Sequence, residues 1–210
     1  MKIGIDLDHT IINYDTAILT AAKKQNLVPS NFIGDKNTVK TWIQTQHSEA
    51  DWMRVQGYVY GRGIGMAELM PNVTSFLLQC QQLSIPFKII SHKTQFGHFD
   101  TEKTDLREAA CNFLSQQVFF KTHFSEIKKH HLYFASTRVE KLRLIAEQKC
   151  TIFIDDLLEL LLEPHFPKNV ARIWYTNGKN QLHCSVPNNI TILNTWKNAD
   201  EILMVQHEKT

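Results

Sequence analysis

Two aspartates stand at the end of a short apolar segment near the start of the chain. The sequence KIGIDLDHT places Asp6 and Asp8 one residue apart, directly after residues that predict a buried strand. Side chains at positions i and i+2 of a strand face the same side, so the two carboxylates are expected to lie together. Two carboxylates that close ionise at low cost only when a positive charge neutralises them. A divalent cation supplies that charge, and oxygen-only ligands favour a hard cation such as Mg²⁺.

A second acidic pair follows another apolar segment. The sequence CTIFIDD predicts a strand that ends at Asp155 and Asp156. An aspartate after a strand is often only a turn residue or a helix cap. Two pairs at two strand ends instead favour a shared acidic pocket. The expected metal ligands are Asp6, Asp8, Asp155 and Asp156.

The two acidic pairs belong to a set of four short motifs in a fixed order along the chain. The first is a strand followed by DxDxT, residues 6–10, and the second is a strand ending at Ser91 in KIISHKT. The third is Lys141 near the start of a helix in STRVEKLRLIAEQ, and the fourth is the pair at 155–156. This ordered set resembles the motifs of the haloacid dehalogenase (HAD) superfamily, whose members are mostly phosphatases. The phrases SHKT, TRVEKL and FIDDLLELL resemble an uncharacterised bacterial branch of it.

The resemblance implies a role for each matched residue. Asp6 would be the nucleophile that forms an aspartyl-phosphate, and Asp8 would protonate the leaving oxygen and then activate water. Mg²⁺ would be held by the Asp6 carboxylate, the Asp8 backbone carbonyl and one or both acids of the second pair. The residues implied to bind phosphate are Thr10, Ser91 and Lys141. The implied activity is that of a magnesium-dependent phosphatase acting on a small phosphorylated metabolite.

Alternatives to this function remain open. A phosphomutase or another phosphoryl transferase would use the same Asp6 nucleophile, and a non-catalytic protein could use the HAD fold only for binding. Asp8 favours phosphate chemistry over dehalogenation, because the resembling dehalogenases lack that acid. Lys93 is the rival of Lys141 for phosphate, since it is close to Ser91 in sequence.

The segments between the motifs predict the fold that must position these residues. Apolar strand segments alternate with helical segments of 10–15 residues, which predicts a Rossmann-like parallel sheet flanked by helices, an α/β fold with a HAD-like core. In such sheets ligands bind at the carboxyl ends of the strands, where the motif residues lie. Residues 1–13 and 71–210 are expected to form the catalytic core. Residues 14–70, inserted after the first strand, are expected to form a small helical cap.

Composition adds few constraints on partners. The formal net charge is +2 with no long block of one sign, so charge implies neither a nucleic acid nor a membrane partner. The four cysteines are widely spaced without a CxxC pair, which favours reduced, mostly buried thiols. No stretch reaches the roughly 18 apolar residues of a membrane span, and Asp6 interrupts the first apolar run too early for a signal peptide. A cytoplasmic location is expected, and nothing in the sequence indicates an oligomeric state.

Overall fold

The computed structural model describes residues 1–121, 127–128, 130–179 and 186–204 of the 210-residue chain. The chain divides into two units. The first comprises Met1–Ile11, Leu69–His92 and Ser125–Thr210, and the second comprises Ile12–Glu68 and Lys93–Phe124. The first unit contains all the residues expected at the site: Asp6, Asp8, Thr10, Ser91, Lys141, Asp155 and Asp156.

A six-stranded parallel sheet forms the centre of the first unit. Its strands are β1 (Ile3–Ile5), β2 (Phe87–His92), β3 (Leu132–Ala135), β4 (Ile152–Asp155), β5 (Ala171–Tyr175) and β6 (Ile190–Leu193). Their order across the sheet is β3-β2-β1-β4-β5-β6, the order of a doubly wound α/β sheet. A separate two-stranded ribbon pairs Ile12–Asn13 with Glu68–Leu69. The predicted fold class is confirmed.

Strand β1 lies in the middle of this sheet and carries the first motif at its end. Ile3 is aligned with Phe87 of β2 on one side and with Ile152 of β4 on the other, and both pairings are parallel. All three residues of β1 are buried, which is why the strand is a continuous apolar run without polar alternation. The carboxyl ends of β1, β2 and β4 therefore meet at one edge of the sheet.

The helices in the described part of the chain connect and cover these strands. In chain order they are α1 (Asp15–Lys24), α2 (Lys36–Gln46), α3 (Glu49–Tyr60), α4 (Val73–Gln82), α5 (Leu106–Gln116), α6 (Val118–Lys121), α7 (Arg138–Glu147), α8 (Leu158–Leu161) and α9 (Asp200–Met204). Short 3₁₀ helices span Ile64–Met66 and Trp196–Asn198. Among the described residues, no helix is both long enough and apolar enough to cross a membrane.

One apolar cluster packs α7 and α8 against the sheet of the first unit. Its buried members are Ile90, Leu142, Ile145, Cys150, Phe153, Leu160, Leu161, Phe166, Val170, Trp174 and Ile190. Burial of this much apolar side chain stabilises the position of α7 relative to β4. Of the cysteines, Cys80, Cys111 and Cys150 are buried, and Cys184 lies outside the described residues.

The second unit is helical. It contains α1, α2, α3, α5 and α6, with Ile18, Val39, Trp52 and Val55 among its buried side chains. Helix α3 begins at a cap formed by Ser48, whose Oγ accepts from the Asp51 amide at 3.1 Å. The predicted cap, residues 14–70, lies in this unit except for Leu69 and Met70. The unit also includes 93–124, which the sequence-based prediction assigns to the core, and the functional division into core and cap stays a prediction.

Gly4 is the place in the sheet where a side chain does not fit. A Cβ at this position would lie 2.5 Å from Cδ2 of Phe153 and 2.9 Å from Sγ of Cys150. We expect Gly4→Ala to lower the free energy of unfolding by about 1–3 kcal/mol, because the Phe153 ring must shift within a packed core. Gly65→Ala is the matched control, since no atom lies within 4 Å of its added Cβ. Urea unfolding of both variants measures the difference, and equal midpoints would contradict the prediction.

Candidate active site

The ends of β1 and β4 bring three acidic side chains together. Asp6 follows β1, and its amide donates to the carbonyl of Ile154 at 2.9 Å, which fixes its backbone against β4. Asp155 is the last residue of β4 and Asp156 is the next. One carboxylate oxygen from each of these three aspartates lies within 4.8 Å of the other two. Such an oxygen-only set suits a hard divalent cation.

The Asp8 carboxylate lies outside this group of three. Asp8 is half-buried, and its charge acts on Asp6 more weakly than those of Asp155 and Asp156. Of the four expected metal ligands, the structure brings together the carboxylates of three, Asp6, Asp155 and Asp156. The Asp8 carboxylate is not among them. That leaves the Asp8 side chain for another role, and the proposal that Asp8 contributes its backbone carbonyl is compatible with this placement.

Lys141 is buried between two of the carboxylates. Its Nζ donates to Oδ1 of Asp6 at 2.5 Å and to Oδ2 of Asp155 at 2.6 Å. Lys141 is 1% exposed, Asp155 is 0% exposed and Asp6 is 5% exposed, so water screens these charges poorly. Two residues from the ends of adjacent strands thus share one cation from α7.

The start of α7 explains how Lys141 reaches this position. Thr137 is the N-cap, and its Oγ1 accepts from the Glu140 amide at 3.1 Å. The Glu140 carboxylate accepts from the Ser136 amide at 2.7 Å, one residue before the partner of a standard capping box. Nε2 of His92, the last residue of β2, lies 3.2 Å from the Ser136 carbonyl oxygen and ties the same segment to the sheet.

The pKa values of the buried groups follow from their surroundings. Burial raises the pKa of the Asp6 carboxyl well above its ordinary value of 3.8; the Lys141 ammonium opposes the rise, and the carboxylates of Asp155, Asp156 and Asp8 add to it. Burial also disfavours the charged form of Lys141, but Asp155 and Asp6 outweigh it and hold the pKa of that ammonium above its usual value. The two carboxylates thus favour the protonated, cationic form of Lys141.

Two buried hydroxyls lie near the carboxyl ends of β1 and β2, one in the loop after β1 and one within β2. Thr10 is 0% exposed and Ser91 is 1% exposed, and neither hydroxyl has a hydrogen-bond partner among the described residues. A buried hydroxyl without a partner costs about 1–3 kcal/mol. Such groups are typical of sites that bind an oxygen-rich ligand, and both were among the residues expected to bind phosphate.

Lys93, the rival of Lys141, has a different environment. It is 3% exposed and lies in the second unit, where its Nζ is 4.4 Å from the ring centroid of Tyr60 and 5.9 Å from that of Tyr14. These contacts are cation–π interactions. Lys141, by contrast, contacts two carboxylates of the first unit.

Two tryptophans support the site and were not identified from the sequence. Nε1 of Trp174 donates to the carbonyl of Asp156 at 3.0 Å, and Nε1 of Trp196 donates to the carbonyl of Thr10 at 2.8 Å. Neither bond has a local sequence signal, because the partners are 18 and 186 residues apart. A tryptophan in an apolar segment is indistinguishable from an ordinary core residue until the fold is known.

We expect the metal-free Asp6→Asn variant to be more stable than the wild type near neutral pH. A carboxyl whose pKa is raised by folding binds its proton more tightly in the folded state, so its ionisation destabilises the fold as pH rises above the ordinary value. Each kcal/mol gained raises the melting temperature by about 2–4 °C for a chain of this size. Thermal unfolding in a chelator measures the shift, which should shrink toward about pH 4.

Asp100→Asn is the control for this prediction. Its carboxylate accepts from the amides of Thr104 at 2.7 Å and Glu102 at 3.1 Å, and these bonds lower its pKa. Loss of this carboxylate should not raise the melting temperature. A lower melting temperature for Asp6→Asn in chelator at neutral pH would contradict the prediction.

Comparison with known proteins gives similarity in structure only. No family model matches the sequence, and no curated protein matches it. A predicted phosphoglycolate phosphatase from Haemophilus somnus is similar with a TM-score of 0.56 at 16% identity, covering 96% of this chain and 97% of that one. A predicted phosphatase from Clostridium acetobutylicum has a TM-score of 0.53 at 14% identity, covering 97% and 98%.

A hydrolase of the haloacid dehalogenase-like family from Streptococcus pneumoniae is also similar, with a TM-score of 0.52 at 19% identity over 84% of each chain. Structural similarity at identities this low establishes the fold alone, because the side chains of a site can change while the sheet topology persists. The resemblance seen in the four motifs is confirmed at the level of architecture: the chain has the fold of the haloacid dehalogenase-like hydrolases.

Proposed function

We propose that the protein is a magnesium-dependent phosphatase that hydrolyses a small phosphomonoester through an aspartyl-phosphate on Asp6. The observation that carries this proposal is the buried Lys141 ammonium, which donates to both Asp6 and Asp155. The same unit holds two buried hydroxyls that have no hydrogen-bond partner in the described part of the chain. Phosphoryl transfer requires a positioned nucleophile and positive charge around the phosphoryl oxygens, and this set of residues provides both.

The charges of the acidic cluster favour a divalent cation. If its three carboxylates are ionised, they and the one ammonium of Lys141 leave an excess of negative charge that a doubly charged ion would balance. Asp6, Asp155 and Asp156 would hold the ion, with the Asp8 backbone carbonyl as a further ligand. When bound, the metal supplies charge neutralisation between the carboxylate and the phosphoryl group.

Asp6 is proposed as the nucleophile because its carboxylate is oriented before substrate arrives. Its Oδ1 accepts from Lys141, and its amide is bonded to β4, so the side chain has little freedom to rotate. Attack on phosphorus forms a bond between an Asp6 oxygen and phosphorus and breaks the bond from phosphorus to the ester oxygen.

Asp8 is proposed as the acid and base of the two half-reactions. The Asp8 side chain is half-buried and lies outside the acidic cluster. Its carboxyl can therefore give a proton to the leaving oxygen and later take one from water. That water attacks phosphorus and breaks the bond to Asp6, which releases inorganic phosphate and restores both carboxyl groups. Thr10, Ser91 and Lys141 are proposed to bind the phosphoryl oxygens throughout.

Hydrolysis of p-nitrophenyl phosphate by the purified full chain tests the proposed function. We expect release of inorganic phosphate that requires Mg²⁺ or a similar divalent ion, and loss of turnover in Asp6→Asn because the nucleophile is gone. Asp100→Asn, which removes a carboxylate of the second unit, should keep the wild-type rate. Full activity in excess chelator would contradict the metal dependence. Turnover by a clean Asp6→Asn preparation would contradict the covalent route.

The two lysines provide a second test. Lys141→Ala should lower kcat/KM for the same ester by about 100–1,000-fold, because it removes a cation placed against the nucleophile. Lys93→Ala should cost far less, since its ammonium lies against tyrosine rings of the second unit. Circular dichroism must accompany the kinetics, because removing one partner of a buried ion pair destabilises proteins by about 3–5 kcal/mol. The opposite order of the two effects would make Lys93 the phosphate ligand.

A further inference from the structure

We propose that Trp174 and Trp196 are positioning residues, each of which fixes the backbone of a different ligand-binding loop. Trp174 holds the loop that presents Asp156 to the metal, and Trp196 holds the loop that presents Thr10 to the phosphoryl group. This inference rests on the proposed function. It assigns separate effects to the two indoles, so it is tested by separate measurements.

Trp174 lies on β5 beside the end of β4. In the parallel pairing of these strands Trp174 is aligned with Asp155, and its ring packs in the apolar cluster that includes Phe153 and Leu160. It is 2% exposed, so its ring is held by the core. From this position Nε1 donates to the carbonyl of Asp156 at 3.0 Å.

The Asp156 loop is held at one further point. Oδ1 of Asp155 accepts from the amide of Leu157 at 2.9 Å, just beyond Asp156. The carbonyl of Asp156 and the amide of Leu157 belong to one peptide unit, which is therefore held by an indole at its oxygen and by a carboxylate at its nitrogen. Partners that orient a metal ligand in this way commonly change metal affinity about 10–100-fold when they are removed.

Trp196 performs the corresponding role at the first motif. Its ring is 1% exposed, with ring centroids 4.9 Å from Phe76 and 5.2 Å from Tyr175. Nε1 donates to the carbonyl of Thr10 at 2.8 Å in a buried environment, where a hydrogen bond is stronger than in water.

The loop that Trp196 holds has an unusual backbone. His9, the residue before Thr10, has φ 64°, a left-handed conformation that costs energy for a residue with a side chain. The turn is closed by a bond of 2.9 Å from the Ile11 amide to the Leu7 carbonyl. The Thr10 hydroxyl has no hydrogen-bond partner among the described residues, so its direction depends on this backbone.

Two ligand titrations on the full chain distinguish the effect of Trp174 from the effect of Trp196. Mg²⁺ alone, followed by isothermal titration calorimetry, reports on the Asp156 loop. Inorganic phosphate at saturating Mg²⁺, followed by calorimetry and by inhibition of ester hydrolysis, reports on the Thr10 loop. Trp174→Phe should weaken Mg²⁺ binding about tenfold or more and leave phosphate binding at saturating Mg²⁺ near the wild-type value. Trp196→Phe should weaken phosphate binding and leave Mg²⁺ binding near the wild-type value.

Packing controls separate positioning from general loss of stability. Phe166→Leu disturbs the apolar cluster around Trp174, and Phe76→Leu disturbs the contact with the Trp196 ring, without removing either indole. If a phenylalanine variant does not fold, 3-benzothienylalanine at the same position keeps the ring shape and removes only the N–H donor. This replacement should reproduce the selective loss.

The outcomes distinguish this inference from the proposed function. Wild-type protein that binds neither Mg²⁺ nor phosphate would contradict the proposed function. Wild-type protein that binds both, with tryptophan variants that lose both ligands equally or behave as their packing controls do, would overturn the inference alone.

Discussion

A buried lysine between two buried aspartates is the constraint on which the rest of the site depends. Transfer of charged groups from water into a protein interior is costly, and the cost is recovered only when opposite charges meet in good geometry. Here the three groups come from the ends of two adjacent strands and from the first turn of a helix, and the ammonium lies within 2.6 Å of an oxygen of each carboxylate. The sheet register, the helix cap and the packing of α7 must all be correct for this contact to form.

The position of each charged group in the site also depends on the backbone that carries it, and that backbone is held by neighbouring elements. Strand pairing fixes Asp6, a capped helix fixes Lys141, and the acidic loop after β4 is bonded through the indole of Trp174. These supports are apolar or neutral, so they stabilise the site without adding to its charge. The acidic cluster is thus held in place by its neutral surroundings, although burial and the neighbouring carboxylates raise the pKa of Asp6 and make its ionised form less favourable.

The fold and most of the site were predictable from local patterns. Apolar runs ending in Asp6, Ser91 and Asp155 specified three strand ends, and the parallel topology brings those ends to one edge. The position of Lys141 near the start of a helix was predictable, because the Thr137 cap that begins α7 depends on neighbours in sequence. The tryptophan bonds were not predictable, since they join residues through the tertiary structure. Nor does the sequence indicate that 93–124 belongs to the second unit, because an amphipathic helix such as α5 does not record which surface it packs against.

The central position of β1 has a consequence for how the chain acquires its structure. Ile3 pairs with Phe87 and Ile152, so β1 is synthesised well before either of its partner strands. Contacts of such long sequence separation form slowly, because a large loop must close first. Until then Ile3–Ile5 is an unpaired apolar segment of the kind that associates with other chains. Lys2 precedes it and Asp6 and Asp8 follow it, and flanking charges of this sort oppose aggregation. The acids proposed for catalysis are thus also charges of the kind that oppose association of this segment before the sheet forms.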